Sequence, residues 1–402
     1  MESTFLKSWG SEYLANGAVR FRLWATGQQS VTLRLAGQET AMTPTGDGWF
    51  ELEMPGVTPG TEYSFVLADG MTVPDPASRA QKADVNGPSL VVDPTAYDWK
   101  NTDWQGRPWE ETVVYEMHIG TFTPEGTFRA AIDKLPYLAQ LGVTMLEVLP
   151  VSQFGGNRGW GYDGVLLYAP HSAYGTPDDF KAFIDAAHGH GLSVVLDIVL
   201  NHFGPEGNYL PLLAPDFFHK ERMTPWGNGI AYDIDAARRY IVEAPLYWLK
   251  EYRLDGLRFD AIDQIEDTSP KHALIEIAER IARKSPTDRH ISPRRTAATL
   301  SSCIRVTRTA AHRCSPASGT TIFIMRYMCL LLAKRRRITR ILPTRRKNAS
   351  LACWRKASPI RAKCRPRAAS RAGWTAPVSR PSPSSILSRI TIRLVTAPGA
   401  SG

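Results

Sequence analysis

Cysteine is absent from the first 302 residues of this chain, and Asp and Glu are absent from the last 114. A body free of cysteine has no disulfide framework. The five cysteines of the tail, Cys303, Cys314, Cys329, Cys353 and Cys364, are odd in number and irregularly spaced, so none is expected there either. Long apolar runs are also missing. The longest, about residues 321–333, is interrupted by Arg326 and falls short of the roughly 20 residues that a bilayer span needs. The first residues show no basic patch followed by an apolar core, so no signal peptide is expected. These absences point to a soluble, cytoplasmic protein with no membrane partner.

The missing acidity divides the chain. Half of the 48 Lys and Arg follow residue 289, so residues 1–289 carry 24 basic against 39 acidic side chains. The overall charge of +9 therefore averages a body of −15 and a tail of +24. The acidic body does not suggest a polyanion partner. The run Lys334-Arg335-Arg336-Arg337 would hold phosphates non-specifically. The tail lacks a recognition motif, so no nucleic acid is expected.

Four hundred and two residues suffice for two or three domains and a large core. Residues 1 to about 100 read as all-β. Segments such as Val19 to Trp24, Val31 to Leu35, Trp49 to Met54 and Tyr63 to Leu67 alternate apolar and polar residues and are separated by turn residues, as in a β-sandwich. Trp24, Trp49 and Phe50 are read as core in preference to sugar-stacking platforms. Residues 101–111 read as a linker. Strand–helix repeats follow: strands at about 112–118, 143–149, 192–197 and 255–260, and helices at about 128–141, 177–190, 235–252 and 270–284. Only four βα units are visible in residues 112–289, whereas a closed parallel barrel needs eight. Four units would leave an open sheet edge.

Two strand ends carry the chemistry. Leu254 to Asp263 is a short apolar strand ending in charge, with Arg258 and Asp260 two apart and so on one side of it. A neighbouring cation favours an ionised carboxylate, the form needed for covalent attack on a sugar carbon. Leu192 to His202 likewise runs into Asp197, Asn201 and His202. On one parallel sheet, Asp197, Asn201, His202, Arg258 and Asp260 would gather at one rim, where barrel enzymes place their active sites. Between the second strand and its helix, the glycines around Trp160 and Tyr162 let backbone approach a ligand, and the aromatic rings can stack on a pyranose.

The pattern D-x-x-x-N-H followed by G-x-R-x-D resembles two signature regions of the α-amylase superfamily of glycoside hydrolases. In finer detail, Tyr115 to Phe128, Asn201 to Leu210, and Asp255 to Asp263 with the following Ile265 to His272 are similar to segments of the maltooligosyltrehalose trehalohydrolase family. The resemblance covers residues 1 to about 289. It implies an immunoglobulin-like β-sandwich before a (β/α)8 TIM barrel, and retaining hydrolysis of the α-1,4 bond next to the trehalose end of a maltooligosyl trehalose. It implies Asp260 as the nucleophile, Arg258 as the residue that orients and ionises it, and His202 and Tyr162 as sugar contacts. Asp197 would brace its strand end, and Asn201 with it would give the site structural support. Asp263 stands where many relatives have His, and its substrate contact follows from position only. Neither a metal nor an organic cofactor is implied. A branching enzyme, or another α-amylase-type glucan enzyme, is the nearest competing activity. A non-catalytic glucan-binding protein is the competing class.

The resemblance also implies a general acid from the fifth barrel strand and a third carboxylate from the seventh, and the tail contains no acidic residue. A change of reading frame near Arg289–His290 accounts for this. Ile291 to Thr296 can be encoded ATC TCA CCA CGG AGG ACG, which in another phase reads Leu-Thr-Thr-Glu-Asp, the form of the family's general-acid strand. Ala317 to Thr321 can likewise yield Glu-Trp-Asn-Asp, and Arg389 to Arg393 can yield Asn-His-Asp-Gln, the family's last catalytic signature. Residues 290–402 are therefore expected to be a frameshifted, disordered tail, and the chain as written to be inactive.

Overall fold

The computed structural model describes residues 7–108 and 111–282, together with two short strands further on. The rest of the expected tail lies outside the described residues.

Nine strands open the chain: β1 (Gly10–Tyr13), β2 (Val19–Trp24), β3 (Val31–Leu35), β4 (Gln38–Ala41), β5 (Thr43–Gly46), β6 (Trp49–Met54), β7 (Glu62–Leu67), β8 (Thr72–Val73) and β9 (Ser89–Leu90). They form two antiparallel sheets, β1-β2-β6-β5 and β4-β3-β7-β8, with β9 also paired to β7. The alternation seen in the sequence has a direct cause. Val19, Phe21 and Leu23 of β2, and Leu33, Phe50 and Phe65 of other strands, all face a common core. Phe21 of one sheet meets Tyr63 of the other edge to face, with ring centroids 4.9 Å apart. Trp24 and Phe50 are buried there, and Trp49 packs against that core with the Arg22 guanidinium 4.1 Å above its ring. Their reading as core residues holds.

The second layer is a parallel sheet. Strands β10 (Val114–Met117), β11 (Met145–Val148), β14 (Ser193–Ile198) and β17 (Gly256–Phe259) lie side by side in sequence order. Two hairpins interrupt the repeats: β12 (Ser152–Gln153) with β13 (Leu166–Pro170), and β15 (Phe218–Thr224) with β16 (Gly227–Ile230). Both edges of the parallel sheet carry a short antiparallel strand, β18 (Ile322–Met325) on β17 and β19 (Ile392–Arg393) on β10. The four βα units thus do not end in bare edges, although neither added strand continues the parallel pattern.

Helices fall close to the expected spans, with one correction. The single helix expected over about 128–141 is two, α2 (Phe128–Ile132) and α3 (Leu135–Gln140), after the one-turn α1 (Ile119–Phe122). Pro136 explains the break. It has no N–H to donate, and its ring would strike the carbonyl of Ile132 in a continuous helix. The remaining helices are α4 (Pro177–Gly189), the short α5 (Leu210–Leu213), α6 (Asp235–Glu251) and α7 (Ala273–Ala282). Thr176 caps α4 in a reciprocal box with Asp179.

The linker is pinned down. Trp104 stacks on His188 at 4.8 Å and donates its indole N–H to Asp255 Oδ1 at 2.8 Å, while Asn101 bonds Asp185. Asp255 also accepts from the backbone N–H of Val194 at 2.8 Å, which ties the start of β17 to β14. The sandwich and the parallel sheet share a further seam. Trp9 touches Trp24, Trp49, Phe217 and Tyr240, and its N–H reaches the Ala236 carbonyl at 3.0 Å.

Candidate active site

The parallel register sets Asp197 directly beside Arg258. Arg258 Nη1 bonds Asp197 Oδ2 and lies 2.8 Å from Asp260 Oδ1, so one guanidinium bridges the ends of β14 and β17. Asn201 Nδ2 donates to the Asp260 backbone carbonyl at 3.0 Å and fixes the turn that presents this carboxylate. The turn itself is strained: Ala261 has a φ of 42°, in the left-handed region that residues with a Cβ avoid.

The Gly-rich loop closes over the same point. Tyr162 OH donates to Asp197 Oδ2 at 2.9 Å, and the Tyr162 carbonyl accepts from His202 Nε2 at 2.9 Å. Burial, followed by the Asp197 charge, pushes the Tyr162 phenol up, so it remains a donor. A Cβ on Gly161 would lie 2.0 Å from the Pro150 carbonyl oxygen, and Gly161 has a φ of +94°. Gly204 makes an equally close approach to the Asp163 carbonyl. Glycine is required here because two backbones touch. Gly161→Ala is expected to displace the loop, detach Tyr162 from Asp197 and cost about 1–3 kcal/mol, as measured by urea unfolding.

His202 is held from three sides. Nδ1 faces Asn201 Oδ1, Nε2 faces the Tyr162 carbonyl, and the Trp226 indole stacks on the ring at 4.2 Å with planes 9° apart. Burial lowers its pKa. Trp226, in the β15–β16 turn, is the site neighbour that the sequence reading missed. A Trp within the turn sequence Thr-Pro-Trp-Gly was the available signal.

Asp197 is 1% exposed, and its Oδ1 has no hydrogen-bond partner among the described residues. Burial pushes its pKa up to about 8, against the opposing pull of Arg258 and Tyr162. Because the folded-state value lies above the unfolded one, this carboxyl adds stability in its protonated form. That contribution is complete below about pH 4 and is lost as pH rises through about 8. Urea unfolding between pH 5 and 9 should show this slope, at most about 1.4 kcal/mol per pH unit, and Asp197→Asn should flatten it.

Asp260, Arg258, His202, Tyr162, Asp197 and Asn201 are therefore gathered in one place. Asp263 is not. It sits exposed on the turn Ile262–Gln264, where its Oδ2 accepts from Gln264 Nε2 at 2.9 Å. Among the described residues no group of three or more His, Cys, Asp or Glu is placed to hold a metal ion, and no helix is long and apolar enough to cross a membrane.

Residues 80–212 match the family model for the alpha amylase catalytic domain. The malto-oligosyltrehalose trehalohydrolase of Deinococcus radiodurans is 48% identical over 273 residues, which is 68% of this chain and 45% of that protein. That of Saccharolobus solfataricus is 43% identical over 270 residues, 66% of this chain and 48% of its own length. A crystal structure of a Salmonella typhimurium protein described as an alpha amylase is 79% identical, with a TM-score of 0.69, and the match covers 70% of this chain and 48% of that one. The chain spans about half the length of the curated relatives it matches. These likenesses support a TIM-barrel glycoside hydrolase fold. Over the length they share, the chain is similar to the malto-oligosyltrehalose trehalohydrolases, and residues 80–212 match the α-amylase family.

Proposed function

We propose that this chain is the first half of a glycoside hydrolase that releases trehalose from maltooligosyl trehalose by retaining cleavage of the adjoining α-1,4 bond. The observation that carries the reading is the Asp197–Arg258–Asp260 bridge across two parallel strand ends, roofed by Tyr162 and His202. Asp260 is the proposed nucleophile. Its ion pair with Arg258 leaves Oδ2 for attack on the sugar C1. Tyr162, His202 and the adjoining Trp226 supply a polar and aromatic wall suited to a pyranose. The two-sheet N-terminal layer is read as the immunoglobulin-like domain, and the four parallel strands as half of a closed eight-stranded barrel.

Retaining cleavage also requires a second carboxyl about 5 Å from the nucleophile, acting as general acid. It is proposed to be encoded, out of phase, across the codons of Arg294 and Arg295. A gene corrected to that phase after codon 289 would yield a frame-restored protein. The frame-restored protein should release trehalose from maltooligosyl trehalose, and the chain as written should not. New α-1,6 links in place of trehalose would favour a branching enzyme. Glucan binding without turnover by the frame-restored protein would favour a binding module.

A further inference from the structure

We infer that the cleft between β2 and the first turns of α6 is a binding site for a phosphate group. It encloses about 580 Å3 and is lined by six cations, Lys7, Arg20, Arg22, Arg238, Arg239 and Arg280. Three carboxyls, Asp235, Glu243 and Glu276, also line it, and Glu12, Glu51, Glu251 and Asp267 pair with cations of its wall. None of these residues belongs to the Asp197–Asp260 site, and the inference does not rest on the proposed glycosidase activity.

Most of the cations already have carboxylate partners. Arg22 lies 3.1 Å from Glu51, Arg239 lies 2.7 Å from Asp235, and Arg238 and Arg280 share Glu276 at 2.8 Å each. Arg20 differs. It is 8% exposed, its Nη2 donates to the Lys7 carbonyl at 2.6 Å, and its Nε has no hydrogen-bond partner among the described residues. Arg20 stands opposite Glu12 and Glu53 on the neighbouring strands, yet a buried guanidinium N–H left without an acceptor is costly, and an anion oxygen entering the cleft removes that cost.

Glu243 does not fill the role. Both its oxygens accept from Ser8, from the backbone N–H at 2.7 Å and from the hydroxyl at 2.8 Å, and burial raises its pKa towards the neutral form. The cations also crowd one another: burial, and then the nearby Arg20 and Arg239, work to lower the pKa of Arg22. A phosphate carries more acceptor oxygens than a carboxylate and so accepts from more guanidinium forks at once. The positive end of α6 borders the same cleft, and its N-cap, Ile234, supplies no side-chain acceptor.

The test uses the full chain at constant ionic strength held with chloride. Inorganic phosphate and glucose 6-phosphate are titrated separately while hydrogen exchange is followed by mass spectrometry. Peptides covering 7–9 and 234–243 should exchange at least about threefold more slowly with anion bound. The half-saturating concentration should rise about tenfold or more in Arg20→Met and in Arg239→Glu. Arg239 is half-exposed, so its variant keeps the test usable if Arg20→Met folds poorly. Tighter binding of glucose 6-phosphate identifies a sugar phosphate as the ligand, and equal or weaker binding identifies free phosphate. The inference is overturned by no slowing with either anion or by slowing that both variants retain. Slowing confined to peptides beyond residue 289 overturns it too, since the basic tail binds phosphates non-specifically.

Discussion

Asp260→Asn in the frame-restored protein is expected to lower kcat for trehalose release about 10^4-fold, with a much smaller change in KM. The carboxamide has the shape of the carboxylate and can still sit beside Arg258, while Asn201 continues to hold the backbone carbonyl of residue 260. It lacks the negative oxygen that would bond to C1, so the covalent route closes while binding persists. Stability should change little, because the turn keeps its anchors. A variant retaining activity within tenfold of the parent would remove Asp260 from the nucleophile's place.

Arg79→Met is expected to cost about 3–5 kcal/mol of stability, as read from the urea midpoint at unchanged slope. Arg79 is 3% exposed and joins the sandwich to the parallel-sheet layer. Its Nη2 donates to the Trp9 carbonyl at 2.8 Å and pairs with Glu12 at 3.0 Å, and its Nη1 donates to the Ala77 carbonyl at 2.7 Å. The guanidinium also lies 4.6 Å above the ring of Tyr168 and 5.3 Å above that of Tyr247. Methionine fills part of the volume but leaves two buried carbonyls without a donor and Glu12 with Lys7 alone of its two cation partners. Arg79→Lys should recover only part of the loss, since an ammonium has no planar fork to span Ala77, Trp9 and Glu12 together. A loss below about 1 kcal/mol would show that the seam rests on the aromatic cluster around Trp9 instead.

What the sequence made legible, and what it hid, follows from the range of each interaction. The four parallel strands are continuous apolar runs bounded by turns, and that signal is local. The rim residues could be read because each lies within a few positions of its strand end, so strand direction alone brings Asp197 and Arg258 together. Tyr162 was recoverable from its glycine neighbours, although its bond to Asp197 spans 35 residues. The break at Pro136 follows from a local rule, since a proline inside a helical stretch lacks the N–H the ladder needs. Trp226 was hidden because its hairpin belongs to no repeat, and only the fold stacks it on His202. The linker's attachment through Trp104 and the buried seam around Arg79 were hidden for the same reason. Their partners, Ala77 apart, stand 67 or more positions away in sequence, and composition records nothing of such pairings.

The most direct measurement is to trap the covalent intermediate. The frame-restored protein, treated with a fluorinated α-glucosyl fluoride that glycosylates quickly and deglycosylates slowly, is digested and its peptides are weighed. A glycosyl adduct on Asp260, absent from Asp260→Asn, is the predicted result. An adduct on another carboxylate, or none in a protein that still releases trehalose, would contradict the reading.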